Sequence, residues 1–143
     1  MKIALAADHG GFALKETIAE LLYSLGHEVA DMGCHSLQSV DYPDYADLVA
    51  AEITAGKSDS GILICGTGIG MSMAANRHRK IRAAICHDEY TARKSREHNN
   101  ANILCLGARV IGEGVAVELV KVWLATSFAG GRHQQRIDKY SEG

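Results

Sequence analysis

The chain has 143 residues, of which 47% are hydrophobic and 22% charged, and its formal net charge is −2. These proportions are typical of one globular domain with a substantial core, and they exclude a disordered chain. The near-neutral charge also argues against nucleic-acid binding, since the one basic run, residues 77–80, is short enough to be a solvated helix end.

Strands and helices are predicted to alternate from the first residues onward. Apolar runs predict strands over residues 2–7, 28–32, 61–64, 82–86 and 103–106. An apolar stripe that stops at Gly26 predicts the first helix, and Asp41 is placed to cap a second helix that contains Pro43 and runs towards Gly56. Later helices are predicted through Ala74, over residues 88–98, and over residues 116–124.

A separate C-terminal segment opens at Gly130. Five βα units without an internal repeat or a long linker predict one α/β domain over residues 1–143. The expected fold is a doubly wound, five-stranded parallel sheet with helices on both faces, a Rossmann-like three-layer sandwich, followed by a C-terminal helical segment.

Cellular location is predicted from the N-terminus and the cysteines. The first apolar run stops at Asp8, too early for a signal peptide, and no segment is long enough to span a membrane. The four cysteines include no C-x-x-C pair, so a disulfide framework or a zinc site is not expected, and Cys34 is predicted to lie in a loop. We therefore expect a cytoplasmic protein without membrane or nucleic-acid partners.

The most informative motif is GILICGTGIGMS over residues 61–72, a buried strand that ends in Cys65 and a glycine loop. Glycines allow backbone N–H groups to converge on an anion, and a following helix would add its positive N-terminal dipole. The same field favours a thiolate at Cys65. The alternative is a core cysteine that happens to lie beside a glycine turn.

Three better-known motifs do not fit this loop. A dinucleotide fingerprint would need a glycine where Met71 stands, and a P-loop would need Gly-Lys-Ser/Thr. A cysteine phosphatase would need an arginine in the cradle, and none occurs between Cys65 and Arg77. Any phosphate charge must therefore be neutralised by arginines from elsewhere in the chain.

Reactive side chains flank the predicted strands. Ligands of open α/β sheets bind beyond the carboxyl ends of the strands, so we expect these side chains to converge on one rim and to serve acid–base chemistry. The residues concerned are Asp8, His9, Cys65, His98, Asn99 and Arg109. The alternatives are that Asp8 and Asn99 are turn or cap residues and that His98 closes a helix.

The C-terminal segment supplies two further cations. Arg132 and Arg136 share one face if Arg132 begins a helix, although like charges at that spacing cost about 0.2–0.5 kcal/mol on a bare helix. A bound anion would reverse this penalty, and the planar guanidinium suits phosphate. The alternative is a pair of solvated arginines.

Six segments spread over almost the whole chain are distinctive: DHGG at 8–11, DYP at 41–43, GILICGTGIG at 61–70, RAA at 82–84, HN at 98–99 and GGRHQQR at 130–136. In this order they resemble the motifs of type B ribose-5-phosphate isomerases. The resemblance implies an enzyme that interconverts ribose 5-phosphate and ribulose 5-phosphate without a metal or organic cofactor. It also implies a homodimer with active sites at the subunit interface.

The resemblance further implies a role for each site residue. Cys65 would be the base that moves a proton between C2 and C1 through a cis-enediolate, His98 would open the sugar ring, and Thr67 would assist at the ring hydroxyl. Asp8 would hold substrate hydroxyls. The enediolate would be bound by Asn99 and by the amides of Gly66, Thr67, Gly68, Ile69 and Gly70, and the phosphate by His9, Arg109, Arg132 and Arg136.

Two other functions stay open at this stage. One is an isomerase of a hexose 6-phosphate, such as allose or galactose 6-phosphate, because loop shape decides the substrate. The other is a non-catalytic regulator that binds sugar phosphates, against which Cys65 and His98 argue.

One branch of the family has a glutamate where this chain has Met71, so the chain resembles the thiol branch. The galactose 6-phosphate enzymes that resemble this family have two unlike subunits. This chain alone holds every catalytic and binding residue that the resemblance implies, which favours a homodimer.

Overall fold

The computed structural model of the protein describes residues 1–141, which form five strands and six helices. In chain order they are β1 (Lys2–Ala7), α1 (Phe12–Ser24), β2 (Glu28–Asp31), α2 (Tyr42–Thr54), β3 (Ser60–Cys65), α3 (Ile69–Ala75), β4 (Ala83–Ile85), α4 (Glu89–Glu97), β5 (Ile103–Gly107), α5 (Glu113–Ala125) and α6 (Arg132–Asp138).

All five strands run parallel in one sheet with the order β2-β1-β3-β5-β4. Helices α1, α4 and α5 pack on one face of this sheet, and α2 and α3 cover the other face. The predicted fold class, a doubly wound parallel sheet between two helical layers with a C-terminal helix, is confirmed.

The central strands are apolar almost throughout because helices cover both of their faces. Alternate residues of β3 enter two different cores: Ile62 and Ile64 pack towards α1 and α5, whereas Leu63 and Cys65 pack towards α2 and α3. Since a shift of one residue would exchange the two sets, the helices on both faces fix the register of the sheet and with it the position of Cys65.

Helix and strand ends differ from the predictions in a few places. The fourth strand covers only Ala83–Ile85, and it begins one residue later than predicted because the amide of Arg82 donates to the Asn102 side chain instead of to a neighbouring strand. Asp41 occupies the N-cap position of α2, but its carboxylate makes no capping hydrogen bond in the described chain. The carboxylate of Asp88 does cap α4, since it accepts from the amide of Thr91 at 2.7 Å.

A buried lysine fixes the loop that follows β2. The side chain of Lys15 is fully buried, and its Nζ donates to Asp31 at 2.7 Å and to Glu16 at 2.8 Å. Burial acts in the opposite direction, but the two carboxylates raise the pKa of Lys15. Because the other carboxylate oxygen of Asp31 accepts from the amide of Gly33, the loop is held against α1.

The chain leaves β1 and β3 towards opposite faces of the sheet, since α1 and α3 lie on different sides. Between these two neighbouring strands the connecting loops diverge and open a crevice at the carboxyl edge, the usual place for a ligand in this class of fold. One loop begins at Asp8, whose amide donates to the carbonyl oxygen of Ile64, and the other begins at Cys65.

Gly11 allows the first helix to begin directly against β3. A Cβ atom at this position would lie 2.5 Å from the carbonyl oxygen of Ile64, a backbone atom that cannot move aside. We expect Gly11→Ala to destabilise the protein by about 1–3 kcal/mol. Gly114→Ala in α5, where a Cβ would meet nothing within 4 Å, is the matched control and should be neutral or stabilising. Urea unfolding at fixed protein concentration measures both, and equal midpoints for the two variants would contradict the close approach.

Candidate active site

Cys65 is the last residue of β3 and is buried, with 5% of its surface exposed. The loop after it turns back at Gly68, which has φ +80°, and the amide of Gly68 donates to Sγ of Cys65 at 3.1 Å. The loop also lies directly on β5, because a Cβ at Gly107 would be 2.6 Å from the carbonyl oxygen of Thr67. A backbone N–H aimed at sulfur interacts more strongly with a thiolate than with a thiol.

The glycine loop is exposed at two of its residues and contacts an aromatic ring at a third. The hydroxyl of Thr67 accepts from the amide of Ile69 at 3.2 Å, and both residues are exposed. The ring of Tyr42 lies against Gly70, where a Cβ would come within 2.6 Å of it. This contact was missed in the sequence analysis, although the motif at residues 41–43 contains the residue.

Asp8 shapes the neighbouring loop. Its carboxylate is buried, and Oδ1 accepts from the amides of Gly10 at 2.9 Å and Gly11 at 3.2 Å. The structural alternative for Asp8, a turn residue, is therefore correct as far as this oxygen is concerned. The next residue, His9, accepts at Nδ1 from the amide of Val40 at 3.1 Å, which leaves Nε2 as the protonated nitrogen of the neutral ring.

Arg109 brings positive charge to both loops. It follows β5, and its amide donates to the carbonyl oxygen of Gly66 at 2.9 Å. Its guanidinium lies over two glycines, since a Cβ at Gly10 would be 3.5 Å from Nη2 and a Cβ at Gly66 would be 3.3 Å from Nη1. The residues brought together here form what we call the carboxyl-edge cluster: Asp8, His9, Cys65, Thr67 and Arg109, with the loop 66–70.

His98 and Asn99 do not join this cluster, so the expectation that all the reactive side chains of one chain meet on one rim is wrong. Helix α4 runs back along the sheet, and the segment after it enters β5 at the amino edge, where the carbonyl oxygen of Asn102 accepts from the amide of Gly61. Cys65 lies four positions further along β3 than Gly61, about 13 Å at the usual rise of a strand. In a parallel sheet, residues that precede a strand lie at the amino edge and residues that follow a strand lie at the carboxyl edge, and the expectation did not separate the two.

A second group of polar side chains lies at the amino edge. His98 ends α4 as its C-cap residue, and its ring stacks on that of His133 in α6, with centroids 4.2 Å apart and planes 14° from parallel. Arg132 begins α6, which is the condition under which it shares a face with Arg136 one turn further on. We call His98, Asn99, Arg132, His133 and Arg136 the amino-edge cluster.

Positive charge in the amino-edge cluster is not balanced within the described chain. Arg132 and Arg136 are exposed, and neither forms an ion pair with an acidic side chain among residues 1–141. Burial, followed by the charges of His98 and the two arginines, lowers the pKa of His133 below its ordinary value. The lowered pKa favours the neutral form of the His133 ring. Because Arg132 and Arg136 are exposed and form no ion pair within residues 1–141, their guanidinium groups remain available to an anion.

The cysteines differ in their surroundings. All four are free, and Cys34 lies in a loop as predicted, although it is buried. Burial raises the pKa of the Cys86 and Cys105 thiols, so these two favour the neutral form. Within residues 1–141 no group of three or more His, Cys, Asp or Glu side chains is arranged to hold a metal ion, and no helix could cross a membrane.

The lowered pKa of His133 predicts how stability depends on pH. As the pH falls through about 6.5, the unfolded chain takes up a proton at this position before the folded chain does, so stability decreases. His133→Phe keeps an aromatic ring against His98 but cannot titrate. Between about pH 7.5 and 5.5 we expect the free energy of unfolding to fall less in this variant than in the wild type. Gln135→Ala, at an exposed position of the same helix, removes no titratable group and is the control, which should keep the wild-type slope. Parallel curves for wild type and His133→Phe would contradict the prediction.

Comparison with known proteins agrees with this architecture. A family model described as ribose/galactose isomerase matches residues 3–140. The chain is 48% identical to ribose-5-phosphate isomerase B of Escherichia coli over 137 residues, which cover 96% of this chain and 92% of the relative.

Two solved structures are similar along nearly their whole length. Ribose-5-phosphate isomerase B of Clostridium thermocellum superposes with a TM-score of 0.96 and 52% identity, covering 97% of this chain and 94% of that one. The enzyme of that type from Thermotoga maritima gives a TM-score of 0.95 and 54% identity, covering 96% and 95%. The chain therefore belongs to the ribose/galactose isomerase family.

Proposed function

We propose that this chain interconverts ribose 5-phosphate and ribulose 5-phosphate, with Cys65 as the base. The observation that carries the proposal is the sulfur of Cys65 at the end of β3, held by the Gly68 amide and close to the loop that Arg109 covers. The relatives named as ribose-5-phosphate isomerases support the substrate. The phosphate group of this substrate requires cationic side chains, which the carboxyl-edge cluster provides in Arg109 and the amino-edge cluster in Arg132 and Arg136.

The reaction needs one proton to move between neighbouring carbons. The Cys65 thiolate takes the proton from C2 of the open-chain aldose and returns it to C1, while a proton shifts from the C2 hydroxyl to O1. The cis-enediolate between these steps is stabilised by N–H donors of the loop 66–70 and by the Asn99 side chain. The amides of Gly68 and Ile69 now bind Sγ and the Thr67 hydroxyl, so substrate would compete with these internal acceptors. His98 exchanges a proton with the ring oxygen, assisted by Thr67 at the ring hydroxyl.

We infer that a homodimer completes each active site. One chain keeps the carboxyl-edge and amino-edge clusters on opposite edges of its sheet, whereas a two-fold axis would place the amino-edge cluster of one subunit against the carboxyl-edge cluster of the other. An exposed apolar pair supports an interface at this place: Ile69 and Met73, one turn apart on α3, are 52% and 68% exposed beside the glycine loop.

The phosphate would then lie between arginines of both subunits. Arg109 and His9 come from the chain that supplies Cys65, and Arg132 and Arg136 come from the partner. Guanidinium groups suit this role because each can donate two parallel hydrogen bonds to phosphate oxygens. Asp8 keeps one carboxylate oxygen free of the turn hydrogen bonds and would accept from substrate hydroxyls.

Domain extent and location complete the proposal. We infer that residues 1–143 are one isomerase domain, which the family match over residues 3–140 and the single sheet support. A cytoplasmic location is supported by the four free cysteines, since thiols stay reduced in that compartment.

Turnover of the purified protein tests the function. We expect ribose 5-phosphate to be isomerised faster than allose 6-phosphate or galactose 6-phosphate, and Cys65→Ala to retain less than about a tenth of wild-type turnover. Cys34→Ala, which removes another buried thiol, is the matched control and should stay within about twofold of wild type. Faster turnover of a hexose phosphate would change the substrate. Absence of turnover on all three would support a binding protein instead.

Mixing two inactive variants tests the shared site. In a dimer that pairs Cys65→Ala with His98→Asn, one site carries both substitutions and the other carries neither. Random pairing of equal amounts should therefore restore about a quarter of wild-type activity, since half of the dimers are mixed and each of those has one intact site. The two variants are refolded together and assayed against the same proteins refolded separately. If the mixture shows only the average of the separate samples, the clusters do not meet across an interface.

A further inference from the structure

Two arginines hold the turn that carries His98 and Asn99. This turn, residues 98–101, joins α4 to the strand that follows it, and its backbone is unusual because Asn100 has φ +47°, a left-handed conformation that costs a non-glycine residue energy. Asparagine tolerates this region better than most residues, but the turn still needs contacts that keep it in this shape.

The first arginine approaches from the start of β4. Nε of Arg82 lies 3.1 Å from the carbonyl oxygens of both Asn99 and Asn100, so one N–H is shared by two neighbouring peptide groups. Arg82 is itself fixed, because its amide donates to Oδ1 of Asn102 at 2.8 Å. The side chain therefore connects the turn to the amino edge of the sheet.

The second arginine lies within α4. Nη1 of Arg96 donates to Oδ1 of Asn100 at 3.0 Å and to the carbonyl oxygen of Ala101 at 2.6 Å. Nε donates to the carbonyl oxygen of Thr126 at 3.2 Å, and the guanidinium lies 5.6 Å from the ring centroid of Trp123. Both arginines donate to Asn100, so the two cations lie near each other. Burial, followed by the charge of Arg82, lowers the pKa of Arg96.

Neither arginine has an ion-pair partner among the acidic side chains of residues 1–141. Two partly buried guanidinium groups of like charge thus lie close together. Both donate to the same turn, to its backbone carbonyl oxygens and to the side-chain oxygen of Asn100. An arrangement of this kind contributes geometry rather than charge neutralisation, because the rigid guanidinium fixes its acceptors in one plane.

The side chain of Asn99 is the group that this geometry leaves free. It is exposed and makes no hydrogen bond within residues 1–141, while its carbonyl oxygen is held by Arg82. We propose that Arg82 and Arg96 are positioning residues, which fix the turn so that His98 and Asn99 reach the substrate in the partner's site. The inference rests on the proposed function, since it assumes that these two side chains take part in the reaction.

Substitutions at Arg82 separate geometry from charge. We expect kcat for ribose 5-phosphate to fall about tenfold or more in both Arg82→Gln and Arg82→Lys, because a misplaced catalytic group costs rate and lysine has no N–H at the position of Nε. KM should stay within about twofold, because the phosphate-binding arginines are unchanged. Arg77→Gln removes the same charge from an exposed position nearby and should keep wild-type kcat.

A merely structural role gives a different pattern. The positioning role is overturned if the loss of kcat in Arg82→Gln is accompanied by a lower thermal midpoint, by dissociation of the dimer or by a changed KM. It is also overturned if kcat stays within about twofold of wild type in both Arg82 variants. Recovery of full kcat by Arg82→Lys would show that charge is sufficient and would overturn the geometric argument.

Asn100→Gly tests the Arg96 contact without risk to the fold. Glycine adopts φ +47° freely, so stability should be kept or increased, while Nη1 of Arg96 loses its side-chain acceptor. We expect kcat to fall about threefold to tenfold at unchanged KM. Wild-type kcat in this variant would remove Arg96 from the proposal.

A readout that does not involve catalysis separates this inference from the proposed function. Backbone order parameters of residues 98–101, from ¹⁵N relaxation, should fall in Arg82→Gln and not in Arg77→Gln, because only the first variant frees the turn. Unchanged order parameters overturn the inference that Arg82 fixes the turn, whether or not the wild type is active. Conversely, a wild-type protein that does not isomerise ribose 5-phosphate overturns the proposed function. The positioning of His98 and Asn99 then has no catalytic purpose, even if the turn becomes mobile in Arg82→Gln.

Discussion

The direction of the parallel strands is the constraint on which the rest of the molecule depends. Because every strand of the sheet points the same way, residues that follow a strand lie at one edge, and residues that end a returning helix lie at the other. Cys65 is the last residue of β3 and His98 is the C-cap residue of α4, so the two lie at opposite edges of the sheet. No rotamer change can join them within one chain. In the proposed dimer, this separation becomes the reason that each subunit needs the other.

Local features of the sequence were sufficient to predict the fold and to place the residues of the carboxyl-edge cluster together. Apolar runs bounded by glycine and polar residues gave all five strands, because a sheet covered on both faces requires such runs. The glycine loop after Cys65 and the position of Arg109 also followed, since each comes directly after a central strand. A C-terminal helical segment after Gly130 was predicted as well, and α6 begins there at Arg132.

The rest depended on contacts between distant parts of the chain, which periodicity does not record. The stack of His98 on His133, the ring of Tyr42 on Gly70 and the Val40 amide on His9 each join segments more than 25 residues apart. The placement of His98 could have been predicted correctly, because chain direction alone puts a residue before a strand at its amino end. Which of two aspartates caps its helix could not, since both occupy N-cap positions and only Asp88 turns its carboxylate inward.

In the proposed dimer, the charges of the site connect phosphate binding to the pairing of the subunits. Within one chain, Arg132 and Arg136 lie one helical turn apart on the exposed side of α6 and repel each other. A phosphate held between these arginines and Arg109 of the other subunit would relieve that repulsion only in the dimer. By linkage, a ligand that binds the dimer and not the separate chains must stabilise the dimer by the same free energy with which dimerisation strengthens its binding. In the proposed enzyme, recognition of the phosphate and pairing of the subunits are therefore parts of one equilibrium, and the exposed arginines that weaken the isolated chain strengthen the occupied site.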